Sequence, residues 1–158
     1  MASTQTDNDI KERIEATVKS YLTCFIDARA KNDTSLVNRN TAPECTRQML
    51  PSPLGGGATM SNDVYEKVFA QGLKLGGMHE HNATDLVVDV GRRKAAATTI
   101  ANLVFVNGDK VDMEFVWFLN LNDDGSKITK IVEFVDSDTF QKVKAKMEGM
   151  AKEGVKEE

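Results

Sequence analysis

Cysteine is scarce in this 158-residue chain, which carries only Cys24 and Cys45. Neither a CxxC pair nor a metal-ligand cysteine pair exists, so dithiol redox chemistry and zinc modules have no sequence basis. Two free thiols in a cytoplasmic protein are expected. Long apolar runs are also missing, so no segment is expected to span a membrane, and MASTQTDND at the start lacks the charged-then-apolar pattern of a secretory signal. With a net charge of −4 and no arginine-rich stripe, nucleic acid is not an expected partner. There is no GxSxG nucleophile and no complete dinucleotide fingerprint. Gly55-Gly56-Gly57 is not followed by Lys-Ser/Thr, so it is not a phosphate loop; a surface loop, a lid over a pocket, is the expectation. Cofactor-free acid–base chemistry is what this inventory permits.

What is present describes one globular domain, with 41% hydrophobic and 28% charged residues. Its expected limits are residues 8–150, with flexible termini at 1–7 and 151–158. Ile10, Ile14, Val18, Tyr21, Leu22, Phe25 and Ile26 form a helical stripe capped at Asp7 or Asn8. A short helix follows over Asp33–Asn38, and Thr41-Ala42-Pro43 breaks it before a short extended piece, Glu44–Leu50. Ser61 caps a third helix reaching about Leu75, with Val64, Tyr65, Val68, Phe69 and Leu73 on one side.

From there the pattern is strand after strand: Met78–Val90, Lys94–Asn107, Lys110–Leu121 and Lys127–Ser137, with short turns between them. Asp138 opens a last helix. Helices followed by antiparallel strands give an α+β domain, a curved sheet packed with N-terminal helices into a cone. Ala95, Ala96, Ala97 and Ala101 make the second long strand small-sided, so an element packs close there or a cavity opens. The hairpin Lys110–Asp136 is the centrepiece. Its first strand places Val111, Met113, Phe115, Trp117, Leu119 and Leu121 on one face, because side chains alternate. Its second places Glu133 between Ile131 and Val135, so this carboxylate reaches solvent at an edge or faces a lined cavity.

Burial of Glu133 would raise its pKa into the range of a general acid or base; the bland alternative is a rim carboxylate paired with Lys130 or Lys94. Asp136, just ahead of Ser137-Asp138-Thr139, is expected as a helix cap. His79 and His81 lie two apart on a strand, hence on one face, and suit proton transfer better than metal, for which further ligands are not visible. Tyr21, Phe25, Tyr65, Phe69, Phe115 and Trp117 form aromatic stripes that serve as core, dimer contact or pocket wall.

Glu114-Phe115-Val116-Trp117-Phe118, the Asn122–Gly125 turn and Ile131-Val132-Glu133-Phe134-Val135-Asp136-Ser137 together resemble the SnoaL-like family of the nuclear transport factor two superfold. Cys45-Thr46-Arg47 with Met49-Leu50-Pro51, and Asp89 through Lys94, are similar to fungal members. The resemblance covers about residues 8–150. It implies a homodimer of cone-shaped α+β barrels with an interior pocket for a hydrophobic small molecule, the other sheet face making the dimer contact. It implies a cofactor-free isomerase or cyclase of meroterpenoid, polyketide or alkaloid intermediates in fungal secondary metabolism. A dehydratase and a non-catalytic binding or dimerisation module are the alternatives. In such a member Arg39 and Arg47 flank the pocket mouth. Arg39, helped by His79 or His81, would stabilise charge on a substrate oxygen, and Arg47 would bind substrate; the bland alternative for each is a structural arginine.

Overall fold

A computed structural model of the chain describes residues 6–55 and 57–156. The first helix, α1, spans Asp7–Lys31. Its cap is Thr6, ahead of the expected Asp7 or Asn8, because a capping box forms there. The Thr6 side chain accepts from the Asp9 amide and the Asp9 carboxylate from the Thr6 amide, both at 3.1 Å. Ile10, Ile14, Val18, Tyr21, Leu22 and Phe25 are all buried, so the helical stripe is the core face. Asn32 closes the helix in the left-handed conformation, at φ 49°.

A 3-10 turn over Thr34–Asn38, capped by Asp33, leads into strand β1, Thr41–Leu50. The strand starts before the expected Glu44 and contains Pro43. Its pairing with β6 shifts register between Thr41 and Thr46, which accommodates a residue lacking an N–H. A short helix α2 (Ser52–Gly55) and strand β2 (Met60–Ser61) precede α3, Asn62–Leu73. The Ser61 hydroxyl caps α3 by accepting from the Val64 amide at 3.3 Å. The expectation of a lid at Gly55-Gly56-Gly57 turns on a loop whose centre lies outside the described residues. On α3, Tyr65, Phe69 and Leu73 turn inward, whereas Val64 and Val68 are exposed.

Strands β3 (Gly76–Asp89), β4 (Lys94–Phe105), β5 (Lys110–Leu121) and β6 (Ile128–Val135) follow as antiparallel neighbours. β1 joins the far side of β6 in parallel, so the sheet is mixed rather than wholly antiparallel. Its order is β2-β1-β6-β5-β4-β3, a curved, unclosed sheet with the helices packed on it: an α+β architecture. The last helix, α4, runs from Ser137 to Lys156, through most of the segment expected to fray. Asp136 caps it, accepting from the Thr139 amide at 3.2 Å and the Thr139 hydroxyl at 2.5 Å. Among the described residues no helix is long and apolar enough to cross a membrane.

The two faces of β5 separate cleanly. Met113, Phe115, Trp117, Leu119 and Leu121 are buried, while Glu114 and Phe118 are exposed. On β4 the small residues are packed, not vacant: Ala95, Ala97 and Ala101 are buried opposite Leu119, Trp117 and Met113. Each small side chain thus makes room for a bulky cross-strand neighbour.

The β5–β6 turn docks on α1. The Thr17 hydroxyl donates to the Gly125 carbonyl at 2.8 Å. Gly125 has φ +75°, and an added Cβ would lie 2.7 Å from Ile14 Cγ1. Gly125→Ala combines left-handed strain with overpacking. It is expected to destabilise the fold by about 2–4 kcal/mol, read as a lower urea midpoint at unchanged slope.

Candidate active site

Strand alternation sends Ile131, Glu133 and Val135 to the inner face of β6. Glu133 stands in register with Trp117 on one side and Met49 on the other. Among the described residues no ion pair or hydrogen bond is made to its carboxyl, and neither Lys130 nor Lys94 pairs with it. The residue keeps part of its surface accessible, yet burial among apolar neighbours pushes its pKa up to about 7; the positive charge of Arg47 offsets this only in part. A desolvated but reachable carboxyl, with no partner of its own, is free to act on something else.

Arg47 projects from β1 into the interior and is 4% exposed. One terminal nitrogen donates to the Tyr21 hydroxyl at 3.0 Å. The other donates to the Val37 carbonyl at 3.0 Å and to Asn38 Oδ1 at 2.8 Å. The guanidinium also lies over the Tyr65 ring, 3.9 Å from its centroid. All these partners are neutral, so the positive charge is held in place and not neutralised. Tyr65 has no hydrogen-bond partner for its hydroxyl among the described residues. Burial, with the nearby Glu133 charge adding to it, raises the Tyr65 pKa and keeps the phenol protonated. Glu133, Arg47, Tyr21 and Tyr65 therefore form one electrostatic cluster, built from β6, β1, α1 and α3.

The aromatic residues join it. Tyr21 meets Phe25 and Trp117 edge-on, with centroids 5.6 and 5.8 Å apart. Phe115 stacks on Trp117 at 5.4 Å, and Phe69 contacts both Phe25 and Tyr65. Tyr21, Phe25, Phe115 and Trp117 are buried core, whereas Tyr65 and Phe69 are partly accessible.

The histidines separate. Pairing between β3 and β4 shifts register between Met78 and Glu80, placing a bulge at His79. The expected common face is thereby broken: His79 is exposed and His81 buried. His81 Nδ1 donates to the Leu22 carbonyl at 2.7 Å, since that oxygen can only accept. Nε2 then accepts from the Thr99 hydroxyl at 2.8 Å, and Thr99 Oγ1 accepts from the Trp117 indole at 2.9 Å. Both ring nitrogens are occupied, and burial lowers the His81 pKa, so the ring is held neutral. Its place is structural, fixing the Trp117 ring. Thr99 went unflagged, although it stands in phase with Ala97 and Ala101, and a polar residue on an inner face requires a partner.

Arg39 does not reach this cluster through any contact. Its guanidinium pairs with Asp27 at 2.6 Å and donates to the Ser20 carbonyl at 2.8 Å, strapping the 3-10 turn to α1. Cys24 and Cys45 are free and buried. Among the described residues no group of three or more His, Cys, Asp or Glu side chains is placed to hold a metal ion.

No protein-family model matches the chain, and no curated protein matches its sequence. Solved structures do match. PrhC from Penicillium brasilianum is 18% identical, with a TM-score of 0.75 over 90% of this chain and 92% of that one. The BvnE pinacolase from Penicillium brevicompactum is 19% identical, with a TM-score of 0.75 over 94% and 99%. AusH from Aspergillus nidulans is 20% identical, with a TM-score of 0.67 over 80% and 86%. The chain has the nuclear transport factor two fold. That fold supplies the curved sheet.

Because folding raises the Glu133 pKa from 4.5 to about 7, the folded state binds the extra proton. The associated stability is full below pH 4.5 and is lost as pH rises through 7. Glu133→Gln is therefore expected to be more stable than the parent above pH 7, by about 2–3 kcal/mol. The two proteins should converge near pH 4.5, as read by urea unfolding across pH.

Proposed function

We propose that this protein is a cofactor-independent isomerase or cyclase. Its substrate would be a polycyclic natural-product intermediate of the meroterpenoid, polyketide or alkaloid kind, in fungal secondary metabolism. The observation that carries this reading is Glu133: an unpartnered, desolvated and accessible carboxyl raised to about 7. At neutral pH both its forms are populated, so one group can take a proton from the substrate and return it elsewhere. An isomerisation needs that pair of steps and nothing else, since no atom is gained or lost.

The charge-stabilising role expected of Arg39 passes to Arg47, because Arg39 is committed to Asp27 while Arg47 shares the interior with Glu133. Arg47 supplies a fixed positive potential, and the free Tyr65 hydroxyl donates to a substrate oxygen where charge develops. Phe69 and Tyr65 hold the substrate's conformation, so orientation contributes to rate. The fungal neighbours support this direction, one of them being named a pinacolase.

A second reading, a non-catalytic ligand-binding or dimerisation module, is favoured by the close packing of Met113, Phe115 and Trp117. The deciding experiment incubates purified protein with extract of a producer lacking the gene, followed by mass-resolved chromatography. A product of changed retention and unchanged mass, formed by the parent and at least 100-fold more slowly by Glu133→Gln, supports the isomerase. Loss of one water indicates a dehydratase, and no change with either protein favours the binding module. The rate should show a limb with a midpoint near pH 7, which Glu133→Gln abolishes.

A homodimer through the outer sheet face belongs to the same proposal. Val87, Ile100, Phe118 and Phe134 are exposed there, with Phe118 at 53% and Phe134 at 45%. The parent is expected to elute as a dimer in light-scattering chromatography and Phe118→Asp/Phe134→Asp as a folded monomer. A monomeric parent rejects that assignment.

A further inference from the structure

An apolar pocket of about 200 Å³, open to solvent on one side, lies where the end of α3 and the start of β3 meet β4, β5 and α4. Met78, Met113, Phe140, Val143 and Met147 line it, and Phe69 closes one side. Every lining residue is apolar or glycine, so water entering it finds no side-chain partner. Three methionines in the wall give it a soft, adaptable surface. Phe140, Val143 and Met147 all come from α4, which is fastened at this end by an ion pair from Lys146 to Asp109. The cavity is not isolated from the polar cluster. Phe69 stacks on Tyr65 with centroids 6.4 Å apart, and Tyr65 carries the Arg47 guanidinium.

We propose that this cavity is a binding subsite for a hydrocarbon ring or branched chain of about six to ten carbons, a dry cavity of roughly 150 Å³ being enough for benzene. The group it takes bears no oxygen, because nothing in the wall can pair one. That this group belongs to the molecule whose oxygenated part reaches Glu133 rests on the proposed function; the occupancy of the cavity does not. The substrate class is then an amphiphile with a bare hydrocarbon end. The C-terminal helix becomes part of the recognition surface.

The test is a titration of methionine-methyl-labelled protein with p-xylene, followed by NMR. Saturable shifts of the Met113 and Met147 methyls, with Met60 unmoved, are expected. Gly72→Leu fills the space from α3, where an added Cβ already sits 3.5 Å from Met147 Cε, and leucine is the better helix former. It should weaken binding at least tenfold, and Val143→Phe, filling from α4, should do the same should Gly72→Leu fail to fold. Glu133→Gln should bind p-xylene as the parent does. No shift at Met113 or Met147, or unchanged affinity in both filled variants, overturns the inference. If Glu133→Gln abolishes turnover while p-xylene moves neither methyl, the proton-transfer reading stands and this one fails.

Discussion

The interior is organised around one buried cation. Taking the Arg47 guanidinium out of water is expensive unless its donors are paired. The fold pairs its two terminal nitrogens with a phenol from α1 and with a carbonyl and an amide oxygen from the 3-10 turn, and lays the guanidinium on the face of Tyr65 on α3; Nε alone has no partner among the described residues. Three elements are thereby held at fixed distances from β1. The choice of neutral partners matters as much as their number. A carboxylate paired directly to Arg47 would have its pKa pulled down. Here the positive charge is anchored without an ion pair, and Glu133, left outside the hydrogen-bond set, stays near 7.

Two titrating groups, the desolvated Glu133 and the buried His81, then pull stability in opposite directions. Glu133 binds its proton more tightly when folded, so its ionisation opposes folding as pH rises from 4.5 through 7. His81 binds its proton less tightly when folded, so stability is lost as pH falls below 6.5 and the unfolded ring takes up charge. The His81 penalty has a structural return: a neutral ring completes the chain from Trp117 through Thr99 to the Leu22 carbonyl. The Glu133 penalty has no structural return in the fold, because nothing bonds to that carboxyl. A cost without a packing benefit is what the proposed acid–base role of Glu133 would account for.

The elements were legible because their periodicities are long and consistent. The Ile10–Phe25 stripe and the alternation of β5 both carry through to buried faces. The same alternation places Glu133 on one face with Ile131 and Val135 but leaves open whether that face meets solvent or the interior; the packing of β6 between β5 and β1 turns it inward. Legibility stopped where the alternation is interrupted or where a partner is distant in sequence. At His79 a bulge inverts the face, so the histidine pair dissolves. Between Thr41 and Thr46 another shift lets Pro43 sit in a strand that local propensity ends there. The sequence favours Arg39 over Arg47, because Arg39 follows the apolar pair Leu36-Val37 at the end of a helix. What separates them is Asp27 for one, and Tyr21, Val37 and Asn38 for the other, contacts that only the packed α1 brings together.

Strand β5 shows how one sequence serves an interior and an exterior at once. Its odd-numbered residues stack Phe115 on Trp117 against α1, and its even-numbered residues present Val116 and Phe118 on the opposite face. Because the side-chain period is two, a slip of one residue would exchange the sets, burying Glu114 and expelling Trp117. What prevents the slip is specific. Ala95, Ala97 and Ala101 leave room on β4 only opposite Leu119, Trp117 and Met113, and Thr99 offers the indole its one acceptor. The alanine-rich strand therefore sets the register. Through the pairing of Trp117 with Glu133, that register decides that the carboxyl on the next strand points inward. The Glu133 carboxyl is positioned by packing two strands away from it.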